Sequence, residues 1–161
     1  MSAQQPFEDV DIAAMKDIAA RYEQPASAIL PLLHYVQRLR GHLDQNELVY
    51  VADFLKVPHV RAYEVATYYT MFFTQPVGRH LIQVCRNLPC TLDGGPAVLA
   101  AIRNELGIGP GETTEDGAFS MVEVECIGAC DLAPAIMVDD ELHGRVTPDS
   151  VADLLDRYRE R

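Results

Sequence analysis

Four cysteines occur as two close pairs, Cys85/Cys90 and Cys126/Cys130, in a C-x4-C and a C-x3-C spacing separated by thirty-five residues. Cysteines scattered through a core would not fall into two tight pairs, and disulfides belong to oxidising compartments. Two pairs are what a tetrathiolate metal site needs, because each pair chelates from one loop and the fold need only bring two loops together. Structural zinc usually sits on C-x2-C knuckles, although up to four intervening residues occur. A [2Fe–2S] cluster spreads its four thiolates over two irons and tolerates longer loops. The spacing therefore favours an iron–sulfur cluster and leaves a structural zinc module as the alternative. No histidine lies beside any of these cysteines, which excludes a mixed His/Cys centre of the Rieske type. Neither pair has the C-x-x-C spacing of a thiol–disulfide oxidoreductase.

The rest of the chain changes period once. Up to residue 75 it reads as helices. Met15, Ile18, Ala19 and Tyr22 form one apolar stripe; Ile29, Leu32, Leu33, Val36 and Leu39 form a second, stopped by Gly41. Asp44 and Glu47 make a capping box ahead of Leu48, Val51, Ala52 and Leu55. Pro58 suits the first position of a fourth helix running to about Thr74, before Pro76. Its aromatics, Tyr63, Tyr68, Tyr69, Phe72 and Phe73, read as the core of a small bundle, with an interface to another protein as the second reading.

Beyond Pro76-Val77-Gly78, residues 80–85 and 119–126 read as strands joined by a helix over 95–106. A crossover of this kind makes the two strands parallel. Cys85 and Cys126 each close a strand, so both pairs are expected at one edge of the sheet. A third strand at 135–138, a short fourth around 142–146 and a last helix after Thr147-Pro148 complete a thioredoxin-like α/β pattern. The fold class is thus α+β: a helical bundle over 1–75, then a thioredoxin-like domain over 76–161 carrying the metal site.

Charge narrows the partners. The net charge is −11, and acidic side chains outnumber basic ones by nine to six in residues 1–75 and by fifteen to seven in 76–161. Phosphate backbones and anionic lipid would repel such a chain, which argues against nucleic-acid binding. No apolar run approaches the ~20 residues that cross a bilayer, and the opening stretch MSAQQPFEDVDIAAM has no signal-peptide pattern, so a reducing, cytoplasmic setting without membrane insertion is expected. No strand–GxGxxG–helix unit, Walker loop or Ser/His/Asp arrangement is visible, and the five histidines share no ligand spacing. The chain is equipped to hold electrons rather than to oxidise an organic substrate, and it needs a partner. Adding an electron to a tetrathiolate centre inside an acidic domain is disfavoured, which predicts a low potential. Arg86 and the amides of Gly128 and Ala129 are the nearby groups that would raise it.

Three segments carry a resemblance: Glu64-Val-Ala-Thr-Tyr-Tyr-Thr-Met-Phe72, Gln75-Pro-Val-Gly-Arg-His80 and Cys126-Ile-Gly-Ala-Cys-Asp-Leu-Ala-Pro134. Together with the cysteine spacing, they resemble the 24 kDa (NuoE-type) subunit family of NADH:quinone oxidoreductase, respiratory complex I, over about residues 10–158. Tyr68 stands where that family usually has Phe. The resemblance implies one [2Fe–2S] cluster bound by Cys85, Cys90, Cys126 and Cys130. It also implies a NuoF-type flavoprotein partner holding FMN and NADH, a place in a larger multi-subunit complex, and a peripheral position at the cytoplasmic side of the inner membrane. The same module occurs in NAD-reducing hydrogenases and NAD-dependent formate dehydrogenases, which are the alternative setting.

Overall fold

The chain divides into two compact units, Met1–Pro76 and Val77–Arg161. The computed structural model describes residues 7–160, so the extreme N-terminus, residues 1–6, lies outside the described residues.

In the first unit, α1 (Asp9–Ala19), α2 (Ile29–Arg40), α3 (Gln45–Leu55) and α4 (His59–Tyr68) surround one apolar core. Met15, Leu32, Leu33, Val36, Val51 and Ala52 are wholly buried in it, as helical periodicity requires. Each fully buried Leu or Val contributes roughly 1.5–3 kcal/mol. Two residues of the expected stripes miss the core. Tyr22 lies beyond the end of α1 and Leu39 in the last turn of α2, and both are exposed.

The capping box of α3 is formed. Asp44 accepts from the amides of Asn46 (2.6 Å) and Glu47 (3.1 Å), and Glu47 accepts from the Asp44 amide (2.8 Å). Asp44→Ala is expected to cost about 1 kcal/mol in urea unfolding. A hydrogen bond with the Glu47 carboxyl, followed by those from the Glu47 and Asn46 amides, lowers the Asp44 carboxyl from 3.8 to about 2. A lowered pKa supplies stability that is complete above the unfolded value and is lost as pH falls through the folded one. Asp44→Asn keeps the cap but not the titration, so its stability deficit should shrink as pH falls from about 4 to about 2. Glu47, pushed up chiefly by burial, works in the opposite sense: its contribution is complete below its ordinary value and lost as pH rises.

Helix α4 ends at Tyr68 rather than Thr74, and Pro58 is its N-cap rather than its first residue. The early stop has a distant cause. The Gln37 side chain donates to the Met71 carbonyl (2.8 Å) and accepts from the Phe73 amide (2.8 Å), and the Phe73 carbonyl accepts from the Leu43 amide (2.7 Å). Backbone groups so engaged cannot serve a continuing helix. Phe72 is then buried against His34, whereas Tyr63, Tyr68 and Tyr69 stay exposed. The core-helix reading of this segment is thus corrected for the three tyrosines, since Tyr63 and Tyr68 lie on the face of α4 that the bundle leaves to solvent and Tyr69 follows its end.

The second unit is built on a five-stranded sheet of order β2-β3-β1-β4-β5, from β1 (His80–Cys85), β2 (Glu112–Thr113), β3 (Phe119–Val124), β4 (Ile136–Val138) and β5 (Glu141–His143). The central pair β1/β3 is parallel, as a helical crossover demands, and the flanking pairs are antiparallel. Three helices complete it: α5 (Leu88–Leu92), α6 (Gly95–Leu106) and α7 (Val151–Arg159), the last entered through a 3-10 turn at Pro148–Ser150. Its core gathers Ile82, Phe119, Met121, Ile102, Ile136 and Leu155. Four boundaries differ from expectation. Strand β3 stops at Val124, β5 is confined to Glu141–His143, the acidic stretch after Gly111 contributes β2, and α5 begins in the first cysteine loop and carries Cys90. The strand segment 119–126 loses its end because Cys126 turns into a loop. Among the described residues no helix is long and apolar enough to cross a membrane.

Candidate metal centre

The parallel register aligns the ends of β1 and β3, with Cys85 beside Val124 and Cys126 two residues further on. All four cysteines are free of disulfides; Cys85 and Cys90 are buried, Cys126 and Cys130 exposed. Asn87 caps α5, whose first turns place Cys90 back against the end of β1, and the Thr91 hydroxyl ties that loop to the Arg86 carbonyl at 3.0 Å. Cys85, Cys90 and Ala135 share an apolar cluster with Ile127, Ala129 and Ala133 against it. Cys130 opens a 3-10 turn, Cys130–Leu132, that runs into the cis Ala133–Pro134 peptide.

Cys85 and Cys90 lie in one buried apolar cluster. The four cysteines are not gathered into a single knot. Among the described residues no three His, Cys, Asp or Glu side chains converge on one metal-sized point.

Several main-chain groups meet these sulfurs. Burial works to raise the Cys85 thiol, but hydrogen bonds from the Asn87 and Ile127 amides, and then from Cys90, outweigh it and pull the thiol below its ordinary pKa. Cys90 moves the other way: burial raises it, the Ala135 amide opposes, and Cys85 and Cys130 raise it further. The Gly128 amide donates to Cys126 Sγ at 3.3 Å. Gly128 adopts φ +82°, a left-handed conformation that a side chain would strain. Amides that donate to sulfur stabilise thiolates, the form in which cysteine binds metal. The donor set fits an iron–sulfur cluster, since thiolate ligation with amide hydrogen bonds to sulfur is how proteins hold and tune one.

Arg86 is paired across the two cysteine loops. Its Nε donates to Glu125 Oε1 at 3.0 Å and its Nη2 reaches the same oxygen, so its charge is matched by a neighbouring carboxylate. The histidines lie elsewhere. His80 starts β1 and pairs with Asp139 at 2.8 Å, and His143 meets the Tyr158 hydroxyl at 2.8 Å. The His80–Asp139 pair joins β1 to the β4–β5 turn across fifty-nine residues, and no local pattern announces it.

Comparison with known proteins gives the family. The sequence model of the thioredoxin-like [2Fe-2S] ferredoxin family matches residues 15–159. The chain is 44% identical over 137 residues to the E subunit of NADH-quinone oxidoreductase from Pseudomonas aeruginosa, covering 85% of this chain and 82% of that one. It is 41% identical over 156 residues to the corresponding protein of Rickettsia bellii, which has the same name, covering 95% and 93%. In fold it is similar to an NAD+-reducing [NiFe]-hydrogenase in the H2-reduced state, with a TM-score of 0.74 and 22% identity over 86% of this chain and 23% of that chain.

Proposed function

This chain belongs to the thioredoxin-like [2Fe-2S] ferredoxin family, and on that premise we propose that it is the electron-transfer subunit of an NADH:quinone oxidoreductase. Cys85, Cys90, Cys126 and Cys130 would hold one [2Fe–2S] cluster. Bound there, such a cluster takes up and returns a single electron. The observation that carries this reading is the match of the [2Fe-2S] family model to residues 15–159, and the aligned ends of β1 and β3 with an amide donating to Cys126 support it.

The chain's own residues supply the setting. Buried Cys85 and Cys90 form the dry side, closed by Ala135, while exposed Cys126 and Cys130 form the side open to a partner. The amides of Asn87, Ile127, Gly128 and Ala135 offset thiolate charge without adding a cation. NADH and FMN belong to a NuoF-type flavoprotein partner, and the reduced flavin is the electron donor. The relatives are named as subunits of a larger oxidoreductase, and the exposed tyrosines of α4 give this chain a face of the composition that contacts between proteins use. The assembly belongs, on this reading, at the cytoplasmic side of the membrane.

Protein purified without oxygen should be brown and contain about two irons and two acid-labile sulfides per chain. Reduction should give a paramagnetic spectrum. A colourless protein carrying zinc would overturn the proposal in favour of an assembly module. Co-purification with a hydrogenase or a formate dehydrogenase in place of membrane-arm proteins would move the same centre to that setting.

A further inference from the structure

Arg86 directly follows Cys85, and Glu125 directly precedes Cys126, so the two side chains reach across the gap between the cysteine loops. Two guanidinium nitrogens of Arg86 serve one oxygen of Glu125. We propose that this ion pair balances charge at the mouth of the cysteine site: Arg86 neutralises the carboxylate adjoining Cys126, and the site accepts an electron more readily than it would with that carboxylate bare. The proposal rests on the cluster reading above.

Other contacts already hold the loops. The Arg86 amide donates to the Val124 carbonyl at 2.9 Å, and the Arg86 carbonyl accepts from the Thr91 hydroxyl at 3.0 Å. The pair itself is solvent-exposed, at 56% for Arg86 and 73% for Glu125, and exposed pairs add little to folding stability. Its removal therefore changes charge more than geometry. That charge matters here because the unit is already strongly acidic, with Glu123, Asp93 and Asp131 exposed nearby in the chain. Arg86 and Glu125 are positioning residues, since neither is a ligand.

The test is a reductive titration of the iron–sulfur protein with dithionite, followed by paramagnetic resonance, on wild type, Arg86→Gln, Glu125→Gln and the double variant. Arg86→Gln should shift the reduction equilibrium about tenfold toward the oxidised form, ~59 mV for one electron. Glu125→Gln should shift it in the opposite direction, and the double variant should return close to wild type. Both shifts should shrink as salt rises, because the charges are exposed. Shifts of the same sign in the two single variants, no shift, or a salt-independent shift would overturn the proposal. Cluster-bearing variants with unmoved potentials sink this proposal alone, whereas wild-type protein lacking iron and sulfide sinks the cluster reading and the proposal with it.

Discussion

Cys126→Ser is expected to leave a folded protein with almost none of the wild-type iron and acid-labile sulfide. Cys126 is exposed and belongs to none of the hydrophobic clusters, so exchanging sulfur for oxygen removes a soft ligand and little packing. The same change at Cys85 or Cys90 would confound the two, because those side chains are buried against Ala135. His143→Gln serves as the control. His143 lies on β5, where its ring meets the Tyr158 hydroxyl, so the variant should keep its full complement. Iron and sulfide analysis with visible absorption reads both. Full iron in the Cys126 variant, or its loss in the His143 variant, would refute the ligand assignment.

Gly95→Val is expected to cost roughly 1–3 kcal/mol of unfolding free energy and to spoil the first cysteine pair as well. Gly95 is buried at the start of α6, and a Cβ there would lie 2.7 Å from the Cys90 carbonyl oxygen and 3.1 Å from its carbon. These are backbone atoms, held by the short helix α5, so neither can step aside as a flexible side chain would. Relief comes only from moving α5, which carries Cys90 away from Cys85. Gly94→Asn makes the comparison. A Cβ at Gly94 meets nothing within 4 Å, and Asn tolerates the left-handed φ of +100° better than other side chains. Urea unfolding and iron content should both separate the two variants. Equal stability and equal iron in the Val and Asn variants would show that this close approach does not shape the site.

Much of the architecture is written in local patterns. The α3 stripe and its capping box lie within twelve residues, and hydrogen bonds and burial at that range follow helical geometry. The parallel pairing of β1 and β3 follows from strand–helix–strand order alone, and with it the arrival of both cysteine loops at one edge. Features that depend on partners far along the chain were not legible. Nothing near Thr74 indicates that α4 stops at Tyr68, because the groups that stop it are the Gln37 side chain and the Leu43 amide. The tyrosine periodicity suits a core helix, yet burial depends on what the bundle sets against each face. Arg86 reads in sequence as a free cation because Glu125 lies thirty-nine residues away, and only the register of the sheet brings them together.

By itself, then, the amino-acid order specified helices followed by a strand–helix–strand unit, the family of metal chemistry that four paired thiols favour, and the edge of the sheet at which β1 and β3 end. Those properties rest on spacing and periodicity, which act between neighbours in the chain. The tertiary structure decided which amides donate to which sulfurs, where α4 ends, which tyrosines face solvent, and that the cation beside the site is already matched by a carboxylate. Each of these is a contact between residues brought together by folding, and its energy depends on a distance that no one-dimensional pattern contains.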